Sequence, residues 1–350
     1  MTTSSEPQIL YLCAREVEAL CREIDTVAVM RELFRLHGTG QTILPDEAYL
    51  AWTNENGEAV RSLNMPGYVS GREPYAGTKI INSNPSNITR GLPRASGLTI
   101  LFDSVSTRVT CVMEAAHLSA LRTASVTGLA VEYLGGPRIE CLALVGAGVL
   151  ARAHLGLLAE RLPHLRRVLL FDLDRQRAED LRREWQPRLA AREAEIELAA
   201  GAREAVTQAE LIVTATTVTA GYVPFEWLRP GALLSNVSLD DPLPDVALKA
   251  DKVVVDDWNL VRADGRRLLG RMYREGSLVG PGAAPADRHD GARAIDAQLG
   301  EVVAGSKPGR TSDDEIILFN PFGLAIEDVA LAAEVYRAAR RSRAGTFLER

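Results

Sequence analysis

A chain of 350 residues with a net charge of −6 has the length for two domains and the apolar content for two cores. The acidic balance argues against a nucleic-acid binder, which needs clustered Lys and Arg, and no run reaches the ~18 apolar residues that span a bilayer. No basic stretch followed by an apolar core opens the chain, Cys13, Cys21, Cys111 and Cys141 lack CxxC spacing, and the histidines, among them His117, His154 and His289, form no HxxxH or HExxH set; the expectation is a cytoplasmic protein with reduced thiols, no metal and no membrane or nucleic-acid partner.

In chain order, "AREVEALCREIDTVAVMRELFRLHGTG" has helical spacing and ends in Gly. "AYLAWTNENGEAVRSLNMPG" reads as a hairpin turning at Asn56-Gly57. "GTKIINSNPSN" and "ASGLTILFD" add strands, and "VMEAAHLSALRTASVTGLAVEYLGG" reads as helix, break and helix. From Glu140 the rhythm becomes strand–helix alternation: "CLALVG", "RRVLLFD", "IELAA", "ELIVTATT", "ALLSNVS" and "DKVVVDD" are strands, with "VLARAHLGLLAERL" and "RQRAEDLRREWQPRLAAREA" as helices between the first three. Such alternation predicts a parallel sheet covered on both faces. Residues 275–312 look loop-rich, and "EIILFNPFGLAIEDVALAAEVYRAARRS" gives a closing strand, turn and helix.

Within "CLALVGAGVLARAHL", Gly146, Gly148 and Ala151 fit G-x-G-x-x-[GA]. Gly146 permits a tight turn, Gly148 lets a pyrophosphate approach the backbone, and Ala151 lets the helix pack close to the strand; the helix start, with Val149 and Leu150, faces the phosphates. The motif is weak in a chain rich in Ala and Gly, and a glycine turn without a ligand is the bland alternative. Two features raise it: the turn follows a strand, and a second strand ends in Asp172, placed to accept ribose hydroxyls. A carboxylate there favours NAD over NADP, although Arg175 and Arg177 stand close enough to accommodate a phosphate.

"TKIINSNP", "EAAHLSALRTAS", "LVGAGVLA", "SNVSLDDP" and "DEIILFNPFGLAIEDVALA" together resemble the ornithine cyclodeaminase/mu-crystallin family, across nearly the whole chain and in the family's order. "VVVDDW", "ASGLTILFD" and "DDEIILFNPFGLAIEDV" resemble in particular its dehydrogenases of 2,3-diaminopropionate biosynthesis, which serve siderophore and peptide pathways. The resemblance implies an α/β fold in which a doubly wound Rossmann domain is inserted into a discontinuous substrate-binding and dimerisation domain. The expected division is 1–125, 126–314 and 315–350, the last piece a strand and helix returning to the first domain. It implies a homodimer acting on a small amino-acid-derived substrate with NAD: oxidation of N-(2-amino-2-carboxyethyl)-L-glutamate at the glutamate Cα–N bond, then hydrolysis to 2-oxoglutarate and L-2,3-diaminopropionate.

The same resemblance assigns residues. Lys79 in "GTKIIN" matches the family's active-site lysine, an ammonium for the substrate carboxylate. Arg122 in "LRTAS", taken as the start of a helix, offers a fork to a carboxylate or pyrophosphate, with Thr123 beside it. Asp240 in "NVSLDDP" matches the catalytic aspartate and is preferred by register to Asp241; a carboxylate there takes the substrate amine's proton and activates water. Thr214, Ser235, Asn236 and Val237 are expected along the dinucleotide, with Asn320 and Phe322 near nicotinamide and substrate. Each has an ordinary alternative: a solvated lysine, a surface arginine, an acid in good turn chemistry, strand-end packing.

Two departures stand out. The family's arginine before "MP" falls where this chain reads "DEAYLAW", leaving Arg61 as the nearest candidate, and the basic residue after the catalytic Asp is replaced in "DDPLPD". An altered carboxylate clamp leaves room for an altered substrate. An ornithine cyclodeaminase, an imine reductase and a non-catalytic dinucleotide binder are the rival readings.

Overall fold

The computed structural model describes residues 8–283 and 291–349. Residues 284–290, with His289 and part of the expected loop-rich stretch, lie outside the described residues, as do 1–7 and 350. The chain divides into two units, residues 1–122 with 324–350, and residues 123–323.

The first unit is an eight-stranded mixed sheet. Across it run Thr346–Leu348, Ile9–Leu12, Val109–Glu114, Ala95–Phe102, Tyr75–Ser83, Ala59–Val69 and Thr42–Ile43, with Ala48–Thr53 also paired to Ala59–Val69. Ile9–Leu12 and Val109–Glu114 are parallel, whereas the pairs from Val109–Glu114 to Thr42–Ile43 are antiparallel. The Asn56-Gly57 hairpin forms as its sequence requires, Asn54 Oδ1 accepting the N–H groups of Asn56 and Glu58 at 3.0 Å each. The first helical stretch is two helices, Ala14–Cys21 and Thr26–Gly38, because Asp25 caps the second by accepting Ala28 N–H at 3.1 Å.

Helix Ala325–Ser342 belongs to this unit and lies on the sheet. Its apolar residues Ala325, Ile326, Val329 and Ala330 are buried. Contact is close enough that a Cβ on Gly67 would stand 2.9 Å from Ile326 Cγ2, so only glycine fits there.

The second unit carries an eight-stranded, wholly parallel sheet. Its order is Glu195–Leu198, Arg167–Phe171, Cys141–Val145, Leu211–Thr214, Leu233–Asn236, Ile317–Asn320, Lys252–Val255 and Ala297–Gln298. Numbered along this unit, the first five strands stand in the order 3-2-1-4-5 of a doubly wound nucleotide-binding sheet. Every residue of Cys141–Val145, Leu211–Thr214, Leu233–Asn236 and Ile317–Asn320 is buried, as strands covered on both faces must be.

Three expectations need correction. The closing strand Ile317–Asn320 does not return to the first domain: it pairs with Leu233–Asn236 and Lys252–Val255 in the second unit's sheet, and what joins the first unit is the helix after it and the short strand Thr346–Leu348. Four consecutive buried residues need partners on both edges, and that sheet provides them. "AHLSALRTASVTGLAVEYL" is one unbroken helix, Ala116–Leu134, so Arg122 sits inside it and not at its start. The polar residues that read as a break are absorbed by tertiary bonds: Arg122 by acids, Thr127 by His154 and Ser235. Residues 275–312 hold the strands Leu278–Val279, Arg293–Ala294 and Ala297–Gln298 and the helix Leu299–Val303.

Candidate functional site

In the first unit, strand Tyr75–Ser83 directs Lys79 inward beneath helix Ala325–Ser342, where its side chain is 2% exposed. Lys79 Nζ donates to Asp328 Oδ2 at 2.6 Å and to Ser119 Oγ at 3.2 Å. The other oxygen of Asp328 accepts from Arg122 Nε at 3.2 Å, and Arg122 also donates to Glu327 Oε2. Lys79 and Arg122 are therefore brought together through one shared carboxylate. Burial lowers the Lys79 ammonium from its ordinary value, outweighing the pull of Asp328. For Arg122 burial acts the same way, but Asp328 and Glu327 together outweigh it and hold the guanidinium more firmly charged. Lys79 has three donors and Arg122 five, so both keep N–H groups beyond these bonds.

Glu327 and Asp328 were not foreseen. The signal was present in "GLAIEDVALAA", two adjacent acids in an otherwise apolar run, but their partners lie over 200 residues earlier. Arg61 is half-buried on the same sheet and takes no part in this cluster.

In the second unit, Gly146 ends strand Cys141–Val145 with φ +101°, and Gly148 caps helix Val149–Arg161. A Cβ on Gly146 would meet Ala215 O at 2.6 Å, so the turn requires glycine on both counts. A Cβ on Gly148 would meet nothing within 4 Å, which leaves that approach to the backbone open. Ala151 is fully buried, Leu150 half-buried and Val149 71% exposed. Asp172 secures the turn: Oδ2 accepts Ala147 N–H at 2.7 Å and Oδ1 accepts Asp174 N–H at 2.8 Å. Each carboxylate oxygen has a second lone pair, so capacity for ribose hydroxyls remains. Beside Asp172 opens a cleft of about 350 Å³ walled by Phe171, Leu173, Arg175, Ala178 and Leu198. Open backbone at Gly148, a helix N-terminus, an acid at the second strand end and a cleft beyond it fit a dinucleotide.

Three expected residues meet at neighbouring strand ends. Thr214 Oγ1 donates to Asn236 Oδ1 at 2.8 Å, and Asn236 Nδ2 donates to Asn320 Oδ1 at 2.6 Å. They stand at the C-terminal ends of parallel strands, the edge where such sheets bind ligands. Asn320 opens a turn that Asp256 fixes, its Oδ2 accepting Gly323 N–H at 2.6 Å. Phe322 packs on the core from this turn, Val237 is half-buried after its strand, and Thr123 is half-buried on its helix.

Asp240 follows Leu239, whose φ of +77° is a strained value for a residue with a side chain. Asp240 is 2% exposed and accepts from Leu268 N at 2.9 Å, Arg267 at 3.0 Å and Arg271 at 3.2 Å. Neither arginine was foreseen; nothing near "LDDP" points 27 or 31 residues onward. Asp241 faces a different set: Oδ1 accepts from Thr216 and Tyr222 at 2.8 Å each, and Oδ2 from Ser238. Burial raises the Asp241 carboxyl above its ordinary value despite these three hydroxyls.

Ser235 joins a buried chain with Thr127 and His154. His154 Nδ1 lies 2.7 Å from Leu150 O, which can only accept, so Nδ1 carries the proton and Nε2 accepts from Thr127 at 3.0 Å. Burial holds His154 down at about 4, from 6.5. The unfolded chain therefore binds a proton that the folded chain refuses between those values, and stability falls as pH drops through that window. The full loss is on the order of 3 kcal/mol. Urea midpoints at pH 7 and pH 5 are expected to show this acid loss in the wild type and a smaller one in His154→Asn.

Among the described residues, no group of three His, Cys, Asp or Glu is placed to hold a metal, and no helix is long and apolar enough to cross a membrane. The four cysteines are free thiols.

The chain is similar to known proteins over nearly its whole length. The chain is 33% identical to the N-((2S)-2-amino-2-carboxyethyl)-L-glutamate dehydrogenase of Staphylococcus aureus, covering 97% of this chain and 98% of that one. The crystal structure of CmnK superposes with a TM-score of 0.87 at 37% identity, over 98% of this chain and 99% of that one. The Δ1-pyrroline-2-carboxylate reductase of Thermococcus litoralis, solved with NADH and L-proline, gives 0.83 at 26% identity, over 97% and 99%. Residues 8–343 match the ornithine cyclodeaminase/mu-crystallin family, and the chain belongs to that family.

Proposed function

We propose that the protein is an NAD-dependent dehydrogenase of an amino-acid CH–NH bond, and that its substrate is N-(2-amino-2-carboxyethyl)-L-glutamate. The observation that carries the reading is the full-length similarity to a dehydrogenase of that compound, joined to a chain that keeps the lysine, arginine and aspartate its motifs call for.

The glycine turn from Gly146 to Gly148, helix residues Val149 and Leu150, and Asp172 would hold the dinucleotide, with Thr214, Asn236 and Asn320 at the strand ends beside it. When bound, the nicotinamide accepts a hydride from the glutamate Cα. Lys79 and Arg122 are assigned to the substrate carboxylate, through the donors that Asp328, Glu327 and Ser119 leave over. Asp240 is assigned to the amine proton and then to water. The C–N bond becomes C=N, water adds to carbon, and the bond breaks to release the amine and a keto acid. The products are 2-oxoglutarate, L-2,3-diaminopropionate, NADH and a proton. Asp240 is preferred to Asp241 because Asp241 is engaged by three hydroxyls, whereas the arginines around Asp240 are 30% and 37% exposed and able to move. A homodimer goes with this reading, and the exposed Leu50, Trp52 and Leu98, which leave one face of the first unit's sheet, supply an apolar patch for it.

Incubation with NAD and the glutamate conjugate is expected to give NADH, 2-oxoglutarate and diaminopropionate in equal amounts. Proline and ammonia from ornithine without net NADH would make the protein a cyclodeaminase. NADH consumption with a cyclic imine, the chemistry named for the Thermococcus litoralis relative, would make it a reductase. NADH binding with no turnover on any of these would leave a binding protein.

A further inference from the structure

Between strand Leu233–Asn236 and helix Pro244–Lys249 the chain makes the turn that carries Asp240. Within it Leu239 holds a positive φ, a conformation that persists only where neighbours over-determine it. Asp241 supplies much of that constraint. Its carbonyl accepts Tyr222 N–H at 2.8 Å and Val223 N–H at 3.0 Å, and Val223 in turn bridges to Pro242. The two segments lie so close that a Cβ on Gly221 would stand 2.4 Å from Pro242 O. The Asp241 side chain, fully buried, gathers the hydroxyls of Thr216, Tyr222 and Ser238.

Three hydroxyls around one buried carboxyl call for a count of protons. Thr216 and Tyr222 each donate to Oδ1 at 2.8 Å, which uses both of its lone pairs. Ser238 Oγ touches two oxygens, Asp241 Oδ2 and, at 3.0 Å, the carbonyl of Thr214. A serine hydroxyl has one proton to give, and a carbonyl has none. If Asp241 were a carboxylate, one of these contacts would set lone pair against lone pair. With a proton on Oδ2 both become hydrogen bonds: Asp241 donates to Ser238 Oγ, and Ser238 donates to Thr214 O. The balance of charge agrees. Asp240 faces the guanidinium groups of Arg267 and Arg271, whereas among the described residues Asp241 forms no ion pair. Burial raises the Asp241 carboxyl, and the charge of Asp240 adds to that. Of two neighbouring carboxyls, the one beside cations keeps the charge and the other keeps a proton.

We propose that Asp241 is the protonated member of this pair, a positioning residue whose carboxyl O–H donates to Ser238 and so pins the turn that presents Asp240. The proton leaves Asp240 as the charged acid of the two, and the benefit to turnover rests on the role proposed for Asp240 above.

Infrared spectra of the full chain in H2O and D2O test the proton without turnover. The difference between wild type and Asp241→Asn is expected to contain the C=O stretch of a protonated carboxyl, shifted by deuterium. The difference between wild type and Asp240→Asn is expected to lack it. Carboxylate bands alone in the first difference overturn the proposal. Asp241→Ala, which strands all three hydroxyls, is expected to lower kcat by at least about tenfold with NADH affinity little changed. Asparagine repeats the shape of a neutral acid, its oxygen toward Thr216 and Tyr222 and its NH2 toward Ser238. Asp241→Asn is therefore expected to recover most of the turnover lost in the alanine variant. An Asp241→Asn protein as slow as Asp240→Asn would make Asp241 a working base and overturn the proposal. Should the alanine variant not fold, the asparagine variant and the difference spectrum still decide. If the wild type fails to turn over the conjugate, the proposed function falls, yet the spectrum still locates the proton.

Discussion

Asp240→Asn is expected to lower kcat by about 10²–10⁴-fold, the usual loss on removing a positioned acid–base group, while NADH binding persists. The substitution isolates the chemistry because asparagine keeps an oxygen for the Leu268 N–H at 2.9 Å. What it removes is the charge facing Arg267 and Arg271. Those side chains are 30% and 37% exposed, so solvent takes over from the carboxylate and the stability cost is small. Steady-state kinetics with a parallel thermal melt checks this. Wild-type turnover in the variant would move the proton-transfer role to another group, and a collapsed melt would make Asp240 a structural residue.

The largest stability effect is expected at Asp328. Asp328→Ala strips both Lys79 and Arg122 of a shared carboxylate in a place where none of the three side chains exceeds 8% exposure. Breaking a buried pair from one side typically costs about 3–5 kcal/mol, because a desolvated charge is left behind. Lys79→Met is expected to cost less, since Asp328 keeps Arg122 and Arg122 keeps Glu327. It should nevertheless abolish turnover, so stability and activity separate in opposite order for the two variants. The double variant should cost less than the sum of its parts, as sites sharing partners do. Scanning calorimetry of the three proteins measures this; equal melting temperatures would mean the cluster contributes nothing to the fold.

What the sequence made legible follows from range. The glycine turn, the strand ending in Asp172 and the Asn-Gly hairpin are each written in a few adjacent residues, and all three formed. The partners of Lys79, Arg122 and Asp240 could not be read in this way. Asp328 lies 249 residues from Lys79, and Arg267 lies 27 from Asp240 across a separate helix start. The run "LRTAS" misled for a related reason. Its polar side chains are poor helix-interior signals, and only the acids of a distant helix, together with His154 and Ser235, explain why the helix continues through them. The closing strand misled because three apolar residues and an asparagine carry no mark of which sheet will accept them.

That strand has a consequence for biosynthesis. Ile317–Asn320 is the last strand of its sheet in chain order, yet it fills an interior slot between Leu233–Asn236 and Lys252–Val255. Until it emerges, the nascent nucleotide-binding half carries two unpaired inner edges, of the kind that invite aggregation. Translation stopped short of residue 317 cannot yield a smaller working version of that half, and chaperone dependence should persist until residue 320 has emerged.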